Sequence, residues 1–155
     1  MNKVTITDAM LAKLSPSERI NWLTSEMQGW RIVLSDRGWH VSRPDGEGVY
    51  GVRETFIEAF RENMMTDVYA VDYTSLSHEV IDLMDDSMSL YKLDPRQGKG
   101  LYACGLFTED SEWIGHVVSK NPALAICGMY GYANEVDFMP LIKQIDSEAY
   151  EEGLE

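Results

Sequence analysis

The run from Met88 to Ala133 constrains the fold more than any other part of the chain, because strand patterns and a capped helix follow one another there with no long linker. Met88-Ser-Leu-Tyr-Lys-Leu93 alternates apolar and polar residues, and a turn-rich Asp94–Gly100 segment follows. Leu101-Tyr-Ala-Cys-Gly-Leu-Phe107 and Trp113-Ile-Gly-His-Val-Val118 then read as two further strands. Asn121-Pro122 opens a helix, with Asn as the cap and Pro at the first helical position. Leu124, Ala125, Cys127, Met129 and Tyr132 supply its buried face. Gly128 and Gly131 would let that helix lie close to a sheet, and each costs about 1 kcal/mol of helix propensity relative to Ala, so packing must favour them.

A chain of 155 residues with 45% hydrophobic and 10% aromatic residues has enough apolar surface for a core without disulfides or metals, even at a net charge of −13. The charge is lopsided: residues 1–78 carry 11 acids and 8 bases, residues 79–155 carry 15 acids and 5 bases. Such a second half repels polyanions, which argues against nucleic acid or an anionic membrane as the partner and favours a basic protein surface. Solubility alone would also account for an acidic surface. Cys104 and Cys127 sit in apolar patterns far from one another and read as buried thiols, and with no long apolar run this points to a reducing, cytoplasmic setting.

Upstream, residues 1–14 read as an arm or short element. Ser15-Pro-Ser-Glu18 is a capping box that starts a helix bearing Ile20, Trp22, Leu23, Met27 and Trp30, with Gly29 at its exit. Arg31–Ser35 and Trp39–Arg43 form a hairpin around Asp36-Arg-Gly38, ended by the Pro44–Gly48 cluster. Phe56, Ile57, Phe60 and Met64 predict an amphipathic helix over 53–65, whose Glu54, Glu58 and Glu62 form a solvated face. Asp67–Val71 reads as extended. A third helix over 75–85, capped by Thr74 or Ser75, carries Val80, Ile81, Leu83 and Met84; acids at 85 and 86 oppose its dipole, so it ends before Asp85 or a partner compensates. After Pro140 a short helix turns Leu141, Ile142 and Ile145 inward, and residues 148–155 form an acidic tail expected to fray.

Met27-Gln-Gly-Trp30 before Gly38-Trp-His-Val41, Tyr73-Thr-Ser75 opening a helix, and Asn121-Pro-Ala-Leu-Ala-Ile-Cys127 after two strands resemble the phage ABA sandwich domain family. The resemblance implies a sheet with helices on both faces and an origin in a bacteriophage or prophage. It implies no reaction.

Chemistry is thinly signalled. His40 and His116 lie in strand patterns and could meet each other or a carboxylate across a sheet, while His78 stands near a helix start. Asp82, Asp85 and Asp86 share one helix end, which is compatible with a magnesium site but is more simply a charged terminus. Gly98-Lys-Gly100 lacks the rest of a phosphate loop. Glu109-Asp110-Ser-Glu112 reads as a hairpin tip, and Trp39, Trp113, Tyr50, Tyr102, Tyr130 and Tyr132 supply more aromatics than a small core requires.

Together these features predict an α+β chain: an α/β/α sandwich domain over 15–136 with a mixed or largely antiparallel sheet of about five strands, helices over 16–28, 53–65, 75–85 and 122–135, and a helix and tail over 137–155. The functional expectation is a non-enzymatic acidic binding protein, a phage accessory factor acting on a bacterial host protein in the cytoplasm, with host-defence inhibition as its sharpest form. Its docking residues would be Trp39, Trp113, Glu109, Asp110, Glu112, Asp82, Asp85 and Asp86. No catalytic residue, cofactor or metal is expected, and homo-oligomerisation is left open. The alternatives are a small enzyme or ligand-binding domain with a pocket near His116 and His40, and a DNA mimic, which needs acids in two phosphate-spaced rows.

Overall fold

The computed structural model describes residues 6–65, 72–93, 96 and 100–155, so the extended reading of 67–71 and most of the 94–100 turn lie outside the described residues. The chain is α+β, and its strands form two antiparallel sheets, of three and four strands, in place of the single sheet of about five that the sequence suggested. It divides into two compact units, Met1–Asp72 and Tyr73–Glu155, with the division inside the expected 15–136 body. The charge asymmetry follows nearly the same division, since the second unit holds the acid-rich half.

In the first unit, a four-residue helix α1 (Asp8–Leu11) is capped by Thr7, so the N-terminal segment contributes Leu11 and Leu14 to the core. Helix α2 (Pro16–Met27) begins at the expected capping box: the Glu18 amide donates to Ser15 Oγ at 3.2 Å, and the Ser15 amide donates to Glu18 Oε1 at 3.0 Å. Glu18 also receives the Arg61 guanidinium through two bonds of 2.7 and 2.9 Å, and this holds its carboxyl at about 2. Gly29 exits the helix at φ +103°, where a side chain would be strained.

Strands β1 (Arg31–Ser35) and β2 (Gly38–Ser42) make the predicted hairpin, with Ser35 opposite Gly38. A third strand, β3 (Gly48–Arg53), pairs with β2 where the sequence showed only loop and the start of a helix. The helix that follows is shorter than 53–65 and changes winding. Phe56–Glu58 (α3) is α-helical and Ala59–Met64 is π-helical, the Met65 amide reaching back to the Phe60 carbonyl at 2.9 Å. Phe56, Phe60 and Met64 are buried as expected, and Asn63 is buried with them, donating to the Gly51 carbonyl at 2.6 Å. Trp22 and Trp39 meet the Phe56 ring edge-on, at centroid distances of 5.4 and 6.0 Å.

In the second unit, helix α4 spans only His78–Ile81 and is capped by Ser77 rather than Thr74 or Ser75. It ends before Asp85, so the acids at 85 and 86 do not oppose its dipole. Asp85 instead closes the turn into β4 (Met88–Lys92) by accepting from the Ser87 amide at 2.8 Å. Strands β5 (Tyr102–Phe107) and β6 (Trp113–Ser119) follow as predicted. Helix α5 (Pro122–Ala133) starts at Asn121, whose Oδ1 accepts from the Ala123 amide at 2.9 Å. It packs on β5 and β6, and a Cβ on Gly128 would lie 2.7 Å from Val117 Cγ1. Gly131 faces no strand: a Cβ there would meet the Val136 carbonyl at 2.5 Å and the Phe138 ring at 2.7 Å.

Helix α6 (Met139–Ile145) buries Leu141 and Ile142 but leaves Ile145 exposed, against expectation. The tail beyond it does not fray as expected. Tyr150–Glu152 forms β7, the outermost strand of a sheet ordered β4-β5-β6-β7. Asp146 anchors its approach, accepting from Ser119 Oγ and the Lys120 amide, each at 2.8 Å.

Candidate functional site

Two acid clusters far apart in sequence meet at one end of the four-stranded sheet. Antiparallel pairing sets Met88 opposite Leu106, and the Phe107 amide donates to the Ser87 carbonyl at 2.8 Å. The start of β4 and the end of β5 are thereby held side by side, and Asp86 and Glu109 line the same open groove of about 680 Å³, floored by Met88 and Phe107. The β5–β6 turn is closed by the Thr108 amide donating to the Glu112 carbonyl at 2.8 Å and the Ser111 amide to the Thr108 carbonyl at 2.9 Å, with Ser111 at φ +63°. That turn leaves Glu109, Asp110 and Glu112 exposed, as are Asp82, Asp85 and Asp86. Like charges this close repel within a screening length of about 8–10 Å, and a basic surface relieves the repulsion.

The two tryptophans part company. Trp113, cross-strand from Phe107, is 46% exposed. Trp39 is 9% exposed and packs in the first unit's core beside Phe56, so its indole has little surface to offer a partner; the strand alternation that makes it core was visible, but its abundance of aromatic neighbours was not.

The three histidines differ in the same way. His78 is exposed, with Asp82 Oδ2 3.3 Å from its Nε2. His40, in the first unit, hydrogen-bonds Ser35 Oγ across the β1–β2 hairpin. His116, in the second, is the centre of a larger arrangement. Its Nδ1 lies 2.7 Å from Tyr91 Oη, and Glu152 Oε2 lies 3.3 Å from its buried Nε2 without hydrogen-bond alignment. Trp113 and Tyr150 meet the imidazole edge-on at 5.2 and 6.2 Å. Gly105, opposite His116 on β5, makes room for this group: a Cβ there would stand 2.8 Å from the Tyr91 ring. Burial pushes the Tyr91 phenol up, against a hydrogen bond from Trp113. Sequence alternation placed His116 in a strand but could not supply Glu152, which came from the supposed tail.

Other nucleophiles are quiet. Burial pushes the Cys104 thiol up to about 12, and Cys127 is buried with its Sγ donating to the Tyr73 carbonyl at 3.1 Å. Among the described residues no three His, Cys, Asp or Glu side chains are grouped to hold a metal ion, and no helix is long and apolar enough to cross a membrane. No family model matches the chain, and no curated protein or solved structure does so either.

Proposed function

We propose that the chain is a non-enzymatic binding protein that docks a basic surface of a bacterial host protein through the acidic end of its four-stranded sheet. The resemblance to the phage ABA sandwich domain family directs the choice of partner toward proteins of the bacterial cytoplasm, with inhibition of a defence system as the sharpest form. One observation carries the reading: Asp86 and Glu109 line one groove, flanked by Asp85, Asp110 and Glu112, with half-exposed Trp113 on the adjoining strand. Aromatic anchors ringed by charge are what protein interfaces use for affinity and for fast, selective encounter.

The test is affinity capture from bacterial lysate at low and high ionic strength, in parallel with an Asp86→Lys/Glu109→Lys variant. The expected result is a partner held by the native chain, released by salt and not recovered by the variant. A partner retained equally by both chains, or no salt-sensitive partner, would refute it.

A second reading rests on the Tyr91–His116–Glu152 arrangement, in which a buried imidazole hydrogen-bonds a phenol and has a carboxylate 3.3 Å from its other nitrogen, without hydrogen-bond alignment. A phenol and a carboxylate set about one imidazole suit proton handling beside a small ligand. A ligand that shifts the His116 ring signals in NMR would favour it over docking.

A further inference from the structure

The opposite edge of the same sheet carries a second feature that the docking reading does not use. Strand β7 is outermost, with Tyr150, Glu151 and Glu152 all exposed, and among the described residues no strand pairs with its outer edge. Beside it lies a groove of about 670 Å³ whose apolar floor includes Tyr132 and Met139 and whose rim carries Glu135, Asp137, Glu151 and Glu155. Among the described residues none of these four carboxylates has a Lys or Arg within ion-pair distance.

Three further facts point the groove at a cation. Helix α5 ends here, and its last turn holds no basic residue to offset the negative end of its dipole. Glu135 occupies the left-handed position just past that helix, at φ +61°, where glycine is the usual residue, with the Val136 amide closing onto the Gly131 carbonyl at 2.8 Å. The register fixes the faces: Glu151 stands opposite Val117, which packs against Gly128 of α5, so Glu151 is on the groove side while Tyr150 and Glu152 are on the other.

From the edge and the groove together we infer that this side of the sheet binds an extended segment of a partner protein that adds as a strand along β7 and carries Lys or Arg at alternate positions. Backbone pairing holds the segment, and the period of two sends every second side chain over the apolar floor toward the carboxylates. The complementarity is of charge and of spacing. It stands apart from the groove at the β4–β5 end and does not share its fate.

The test uses a fluorescein-labelled heptapeptide, acetyl-Thr-Lys-Val-Lys-Val-Lys-Thr-amide, titrated with the full chain and read by anisotropy. Saturable binding is expected, weakened roughly tenfold by Glu135→Gln/Glu151→Gln, the weight of about two partly exposed charge pairs. Methylating alternate backbone amides of the peptide should abolish binding with its charge intact, in one of the two registers. Asp86→Asn/Glu109→Gln should leave binding unchanged, and circular dichroism confirms that each variant is folded. No binding, binding that survives methylation in both registers, or binding that depends on Asp86 and Glu109 instead would overturn the inference; the last outcome would leave the docking reading standing.

Discussion

Replacing Gly128 by Ala sets two effects of similar size against each other. Helix propensity alone favours the change by about 1 kcal/mol, because Ala loses less backbone freedom than Gly in a helix interior. Packing opposes it. The new methyl would lie 2.7 Å from Val117 Cγ1 and 3.0 Å from Ile142 Cδ1, and both neighbours are fully buried. Carbon pairs rest at about 3.5–4.0 Å, so the closer contact is short by about 0.8 Å. Ile142 can swing the end of its side chain aside; Val117, stiff at χ1 and fixed in β6, cannot. Overpacking of this kind costs about 1–3 kcal/mol, which leaves a net destabilisation of about 0–2 kcal/mol.

The assay is urea unfolding followed by circular dichroism, with amide exchange along α5 to read the second unit by itself, since two compact units need not unfold as one. Val117→Ala should lower stability when made alone, yet relieve the clash in the double variant, giving a favourable coupling of about 1–2 kcal/mol. If Gly128→Ala instead stabilised the protein by about 1 kcal/mol, or the coupling were near zero, α5 would not be held against β6 by that glycine and the reasoning would fail.

Two other outcomes follow from hydrogen bonds to carboxylates. The Arg61 guanidinium lowers Glu18 from 4.5 to about 2, so the pair's contribution is complete above about pH 4.5 and is lost as pH falls toward 2; urea midpoints across that window should slope, and the slope should shrink in Arg61→Ala and in high salt. At Asp146, burial, which by itself raises the pKa, is outweighed by bonds from the Lys120 amide and Ser119 hydroxyl. Asp146→Asn, which can keep one carbonyl oxygen for Ser119 and Lys120 but then sets its NH2 against the Glu148 amide that Oδ1 now accepts at 3.1 Å, should cost about 1–3 kcal/mol and expose the amides of Tyr150–Glu152 to exchange.

What was legible in the sequence was local. Ser15 with Glu18, Asn121 with Pro122, the helix exit at Gly29 and the hairpin turn at Gly38 are each decided within a few residues, and all stand where the sequence put them. β3 was missed because Gly48 and Gly51 break the alternation that marks a strand, and its evidence is the partner strand. β7 was missed for a like reason: Tyr-Glu-Glu has no apolar period, and it becomes a strand through Asp146 and the edge of β6. The helix over 75–85 shrank to four residues at both ends: Ser77 caps it two or three positions later than Thr74 or Ser75 would, and after Ile81 the chain tightens into turns, the Leu83 and Met84 amides reaching the Val80 and Ile81 carbonyls at 3.1 and 3.0 Å. The meeting of Asp86 with Glu109, and of His116 with Glu152, depends on strand order, which no spacing within one segment encodes.

The π-helical stretch Ala59–Met64 also says where this chain can change length. A π turn winds more residues into each turn than an α turn, so a residue removed there can be absorbed by tightening the coil, with Phe56 and Met64 kept on the side they now occupy. The same deletion within α2 or α5 would rotate everything beyond it by about 100° and displace the buried side chains that follow. Insertions and deletions that the fold survives should therefore gather at 59–64, a joint of variable length inside an otherwise fixed frame.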